Sequence, residues 1–371
     1  VKGMASKVYF TDMHPGYGEN LMDKLERLVK KAGINDVIEK NDLVAVKLHF
    51  GEPGNLAYIR PNYVQRIVRV IKSFGGKPFL TDSNTLYIGK RSNAVDHLNS
   101  AIKNGFTYSM VEAPIIIADG IRGDSYTEVE VNLELVKKAM IGSAVYNADA
   151  LIVLTHFKGH ELTGFGGTLK NIGMGIASRG GKLEQHSGMG TKVNESKCIG
   201  CGTCAKFCPG GAIEIMSSKA VIDYDECIGC GECLVVCPTG AMEVKEYDSA
   251  DRVAMKIAEY TYAVLKNKKD KAFFVSFIMN VSPYCDCYSS NDVPIVPDIG
   301  MAASKDPIAL EQACADLVND APGYKDSQLK TNFEPGEDKF KGLFPGIDWE
   351  TQIKHGEEIG LGNRKYELVR I

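Results

Sequence analysis

Short, nearly continuous apolar runs alternate along most of this chain with segments whose apolar residues recur at helical spacing. The runs predict strands over residues 7–10, 43–49, 77–82, 114–119, 150–156, 272–281 and 294–296. Few polar residues interrupt them, as expected of strands covered on both faces of a parallel sheet. Helical periodicity fills the gaps, over residues 21–31, 61–74, 94–105, 133–145, 251–265 and 307–318. Ser249 stands where an N-cap is needed, and Gly75-Gly76 and Gly105 stand where helices should end. Strand-helix alternation of this kind predicts an α/β fold, a mostly parallel layered sheet.

The alternation breaks once, and the break divides the 371 residues into an α/β first part (4–188), an inserted small α+β module (189–249), and an α/β second part with a C-terminal tail (250–371). The tail is richer in Pro, Gly and charge, carries a short helical stretch over 350–358, and is expected to wrap the surface. Val1-Lys2-Gly3, ahead of Met4, is set aside from fold reasoning.

The insertion carries the strongest motif, written twice: Cys198-x2-Cys201-x2-Cys204-x3-Cys208-Pro209 and Cys227-x2-Cys230-x2-Cys233-x3-Cys237-Pro238. This is the spacing of bacterial two-cluster ferredoxins, in which the last Cys of each run ligates the other run's cluster. Cys198, Cys201, Cys204 and Cys237 are therefore expected to hold one 4Fe-4S cluster, and Cys227, Cys230, Cys233 and Cys208 a second. Gly200, Gly202, Gly229 and Gly231 allow the sharp turns this wrapping requires. Zinc knuckles lack the third Cys and the Cys-Pro ending. Residues 212–215 and 241–244 follow the two runs and are expected to pair as short strands.

Composition narrows the partners. Net charge is −4 at pH 7 and no Lys/Arg stripe stands out, so nucleic acid and anionic membranes are not expected. No apolar run is long enough to span a bilayer, and residues 1–7 form no apolar secretory segment, so a cytoplasmic location is expected.

In open α/β sheets ligands bind beyond the carboxyl ends of the strands, and here those ends are polar. They read Lys47-Leu48-His49, Thr81-Asp82-Ser83-Asn84, Asp119-Gly120, His156-x-Lys158-x-His160, and Cys285-Asp286-Cys287. His49, Asp82, His156, Lys158 and His160 are the candidate catalytic residues; the histidines suit proton transfer or metal ligation, and Lys158 suits acid, clamp or covalent amine chemistry. His156 and His160 would face together on a helix, or reach one pocket mouth from an extended loop. The glycine run that follows fits neither nucleotide fingerprint: G-x-G-x-x-G fails at Leu169 and the Walker pattern fails at Leu183. As a flexible loop with free amides, and with Lys170, Arg179 and Lys182 nearby, it could still cradle a carboxylate or phosphate, and Gly164, Gly166, Gly167, Lys170 and Asn171 are the candidate cofactor-binding residues. Cys285 and Cys287 would act together only if a turn reverses the strand alternation between them. Cys314, on a helix, reads as core.

These residues together resemble the family called domain of unknown function 362, often fused to ferredoxin modules in anaerobes and archaea. The similar positions are Lys47-x-His49-x-Gly51-Glu52, Thr81 to Asn84, Ala150 through His160, Gly167 through Gly175, and Asp298 through Pro307. The resemblance implies the two-part architecture and supplies no reaction. The expected function is an iron-sulfur oxidoreductase, with two 4Fe-4S clusters exchanging electrons with a substrate or a further metal or organic cofactor at the strand-end pocket. An electron-carrying adaptor for a redox partner protein and a non-redox, metallocofactor-handling protein are the alternatives.

Overall fold

The computed structural model describes residues 5–188 and 190–371. Met4 and Met189, where two of the expected segments begin, lie outside the described residues. Seven strands form the central sheet: β1 (Ser6–Asp12), β2 (Leu43–Lys47), β3 (Lys77–Thr81), β4 (Ala150–His156), β5 (Ala272–Ile278), β6 (Gly300–Ser304) and β7 (Tyr366–Arg370). Their order is β7-β1-β6-β5-β4-β2-β3, and β6 alone runs against its neighbours. The fold is thus mixed α/β on a mostly parallel sheet.

Strand alternation builds a core on each face. Val44, Val46, Ile152, Leu154, Phe273 and Val275 face helices Leu21–Lys31 and Pro61–Ser73. Ala45, Leu151, Val153 and Phe274 face helices Thr168–Ile176, Ala250–Lys268 and Pro307–Asn319, where Cys314 is buried as expected. Double coverage explains why β4 and β5 are buried at every position and contain almost no polar residue.

Four expectations are corrected. Residues 133–145 are not a helix: Lys138–Gly142 pairs antiparallel with Tyr126–Glu130, followed by the single turn Ser143–Tyr146. The hairpin loop between the two strands closes through Val131 N to Lys137 O (2.9 Å) and Leu133 N to Val136 O (3.0 Å), and the Glu259 carboxylate, over a hundred residues away, holds that loop by accepting the amides of Leu135 and Val136. Residues 114–119 do not form a full strand. Pro114 has no N–H to donate, so the segment follows β3 through a few bonds such as Ile116 N to Leu80 O (3.0 Å). Residues 294–296 are also irregular, whereas the tail contributes β7, paired with β1 at the sheet edge.

The fourth correction concerns the cysteine-rich segment. Ile213–Met216 pairs with Lys219–Ile222 and Met242–Val244 with Thr191–Val193, so the two expected strands do not pair with each other. Ser217 and Ser218 both adopt positive φ, 49° and 62°, which makes the tight two-residue turn that returns the chain locally. With the short helices Thr203–Lys206 and Glu232–Val236, the segment packs around its own small core of Ile213, Ala220, Leu234, Ala241 and Met242.

Among the described residues, no helix is long and apolar enough to cross a membrane.

Candidate functional site

The chain passes from β2 to β3 on one side of the sheet and then crosses back to β4 on the other side of β2. Such a switch opens a crevice at the carboxyl ends. A cavity of about 370 Å³ sits there, walled by the ends of β2 and β3, the loops after β4 and β5, and helices Thr168–Ile176 and Arg179–His186. Of the expected site residues, His49, Asp82, Lys158, His160, Gly166, Gly167, Lys170 and Asn171 line it; His156 and Gly164 do not.

Asp82 is the electrostatic hub. Its carboxylate lies 3.0 Å from Lys47 Nζ, 3.6 Å from Arg91 and 3.7 Å from His97 Nε2. Burial alone would raise its pKa, but the charges of Lys47 and its neighbours prevail and hold the carboxyl well below the usual range. Lys47 also donates to Asn171 Oδ1 at 2.7 Å, and Asn171 is fixed in turn by donating to Leu154 O and Thr155 Oγ1. Arg91 is held by Glu52 at 2.7 Å and by the Tyr87 hydroxyl at 2.6 Å.

His156 is not a metal ligand here. Its Nδ1 faces Asp286 Oδ1 at 2.8 Å, and its Nε2 faces the carbonyls of Met279 and Asn280 at 3.1 and 3.0 Å. Both nitrogens face oxygens of the loop after β5, so the ring buttresses that loop and is not part of the cavity wall. Lys158 donates to His156 O at 2.9 Å and lies 3.4 Å from Asp286. Asp286 is buried, yet His156 and Lys158 hold its pKa far below normal. Residues Lys158–His160 form a short strand against Gly164–Gly166, so the expected helical pairing of His156 with His160 does not occur.

His49 and His160 share a different arrangement. Nδ1 of each accepts a backbone amide, from Gly51 at 3.0 Å and from Leu162 at 3.2 Å. Burial keeps both imidazoles neutral by pushing their pKa values well below normal, aided by Arg91 for His49 and by Lys170 for His160. The proton of each neutral ring therefore resides on Nε2.

The glycine run is not a flexible loop. It forms helices Thr168–Ile176 and Arg179–His186, whose backbone amides are largely spent on helical bonds. The first helix is capped from outside: the buried Glu311 carboxylate accepts Thr168 N at 2.6 Å and Leu169 N at 3.3 Å. Burial pushes Glu311 up to about 8 despite those donors. The glycines serve packing. A Cβ on Gly167 would lie 2.4 Å from Glu311 Oε2, and one on Gly164, where φ is +74°, 2.5 Å from Trp349 Cβ. The helices still deliver side chains to the cavity: burial pushes Lys170 and Lys182 each down to about 8.

The cavity is cationic. Lys47, Arg91, Lys158, Lys170 and Lys182 line it against the carboxylates of Asp82 and Glu161. Lys47 and Arg91 were not among the expected site residues, although a lysine ending the apolar run 43–47 was itself a signal; Lys182, expected beside the glycine-rich segment, does line the cavity. Nothing local distinguishes Arg91. Cys285 and Cys287 also line the cavity, joined as a disulfide with their Cα atoms 5.2 Å apart, so the turn needed to bring them together is present.

The eight cysteines of the doubled motif gather in two crossed quartets. Cys198, Cys201, Cys204 and Cys237 surround one small cavity, and Cys208, Cys227, Cys230 and Cys233 surround another. Gly200, Gly202, Gly229 and Gly231 turn at φ of 65° to 74°. Backbone amides point at two of the sulfurs, Ala220 N to Cys198 Sγ at 3.4 Å and Ala241 N to Cys237 Sγ at 3.2 Å. Among the described residues no three His, Cys, Asp or Glu groups converge on a point suited to a single metal ion.

Comparison with known proteins bears on ancestry. Residues 44–316 match the family described as Domain of unknown function (DUF362). The chain belongs to the DUF362 family. No curated protein matches this DUF362 chain. Among solved structures, it is similar to a lactate racemase apoprotein from Thermoanaerobacterium thermosaccharolyticum (TM-score 0.40, 15% identity, 85% of this chain and 58% of that one). It is similar also to a protein from Thermotoga maritima (TM-score 0.41, 12% identity, 81% and 59%). The chain thus spans under two thirds of either structure's length, and at these scores neither likeness carries an argument about chemistry.

Proposed function

We propose that this DUF362 protein is an iron-sulfur oxidoreductase that exchanges electrons between two 4Fe-4S clusters and a small organic anion in the cationic cavity. The observation that carries the reading is the crossing of the cysteine quartets, three thiols from one run and the fourth from the other. Four thiols around a central space, with amides directed at the sulfurs, suit a cubane better than a single ion. When bound, such clusters supply electrons one at a time.

The chain's own residues account for the rest. A Cβ on Gly231, which lines the second quartet's cavity, would lie 3.1 Å from Leu86 Cδ1, and Leu86 lines the large cavity. Leu86 therefore lies between the two spaces, with the Arg179 stem beside it. Lys170 and Lys182 would bind the anion, with Lys47 held in place by Asp82 and Asn171. The Nε2–H groups of His49 and His160 are neutral hydrogen-bond donors that can stabilise negative charge as it develops on the substrate. Buried charge around an enclosed cavity favours a small-molecule substrate over the adaptor reading, since a docking face has no need of it.

Anaerobically prepared protein should contain about eight iron and eight sulfide per chain. It should show charge-transfer absorbance that bleaches on reduction. Stoichiometric zinc without such absorbance would sink the proposal. Replacement of His49 or His160 by Ala should abolish turnover with the absorbance intact, and unchanged turnover would remove the cavity from the mechanism.

A further inference from the structure

The Cys285–Cys287 pair has no part in the function just described. Its place is unusual for a structural bridge. The bond closes a loop of only three residues, so it removes almost no entropy from the unfolded chain and contributes little as a staple. The loop is already held without it: Asp286 is anchored by His156 at 2.8 Å, and Glu52 N donates to Asp286 O at 3.0 Å. Both sulfur-bearing residues line the cationic cavity, and Lys170 Nζ lies 3.7 Å from Cys285 Sγ. Cys285 is buried and Cys287 half-buried.

We infer that Cys285 and Cys287 form a redox-active dithiol/disulfide couple whose substrate is a small anionic disulfide bound in the cavity. In the reduced state the more accessible Cys287 thiolate attacks one substrate sulfur. A mixed disulfide forms and the first substrate thiolate leaves. The Cys285 thiolate, stabilised by the Lys170 ammonium, then attacks the Cys287 sulfur, closing the protein disulfide and releasing the second substrate thiolate. The two cysteine protons end on the two released thiols, so one dithiol and one disulfide become one disulfide and two thiols. Return to the dithiol takes two electrons and two protons. Only that return rests on the iron-sulfur reading; the exchange itself does not.

The test uses the full chain and two probes of equal reactivity class and opposite charge, dithiodiglycolate (a dianion) and cystamine (a dication). After reduction by a phosphine, quenching with maleimide in denaturant should place two labels on the peptide containing Cys285 and Cys287, against none before reduction. Dithiodiglycolate should erase both labels and release two mercaptoacetates per chain. It should act roughly tenfold faster than cystamine, with the gap closing at high salt. In Cys285→Ser the mixed disulfide on Cys287 should accumulate, whereas Cys287→Ser should form no rapid adduct. Full labelling without reduction, equal rates for the two probes, or adducts of equal rate on both variants would overturn the inference. Iron and sulfide are measured on the same samples. Their absence with the exchange intact would defeat the cluster reading and leave this one standing.

Discussion

Burial does opposite things to two kinds of residue in the cavity wall. Asp82 stays ionised because the Lys47 and Arg91 cations lie against it, whereas burial makes Lys170 and Lys182 give up protons readily, with too few anions near them to prevent it. A lysine with a depressed folded-state pKa binds fewer protons folded than unfolded, from about pH 8 up to the ordinary lysine range. Stability should therefore rise with pH across that window, and Lys170→Met should flatten part of the rise, read from urea midpoints on either side of pH 8. In competitive labelling, the Lys170 amine should react with a midpoint near pH 8, well below surface lysines; a midpoint near 10 would contradict its burial among cations. Asp82→Asn should cost about 3–5 kcal/mol, because it leaves Lys47 and Arg91 buried without their shared anion. Chemical denaturation would measure it.

Helix Thr168–Ile176 shows how an element places chemistry it does not itself complete. It carries Lys170 and Asn171 to the cavity, yet its N-terminus is held by Glu311 from another helix. Its flank is pressed against helix Ala250–Lys268: a Cβ on Gly173 would lie 2.2 Å from Ile257 O. Gly173→Ala should force the helices apart and cost about 1–3 kcal/mol. If the melting temperature is unchanged, the close approach does not exist in solution. The glycine run had been legible as a loop with free amides; its role as two tightly packed helices depends on backbones brought near by the fold.

At the scale of the whole molecule, the cysteine-rich segment and the α/β body are joined by buried charge. Arg179 pairs with Glu232, the residue before Cys233, and also donates to Thr85 O at 3.2 Å beside the cavity. Arg122 reaches Glu232 at 3.1 Å. Glu232→Ala should leave Arg179 buried and unpaired, at a cost of roughly 3–5 kcal/mol. Limited proteolysis should then release the 191–244 region earlier than in the unaltered protein. An unchanged cleavage pattern would mean that apolar contacts such as Leu86 against Gly231 suffice.

The sequence by itself determined the strands β1 to β5, most of the long helices and the location of the polar strand ends, because periodicity and caps act over a few residues. It determined the doubled cysteine motif for the same reason. Tertiary structure decided what distance along the chain conceals. Glu259 pinned a loop at Leu135 and Val136 where a helix was expected, Asp286 and two carbonyls engaged both nitrogens of His156, and Arg91 reached a cavity that no local pattern assigned to it. Each of these depends on a hydrogen-bond or charge partner supplied from a remote segment. Such partners become neighbours only when the sheet is assembled.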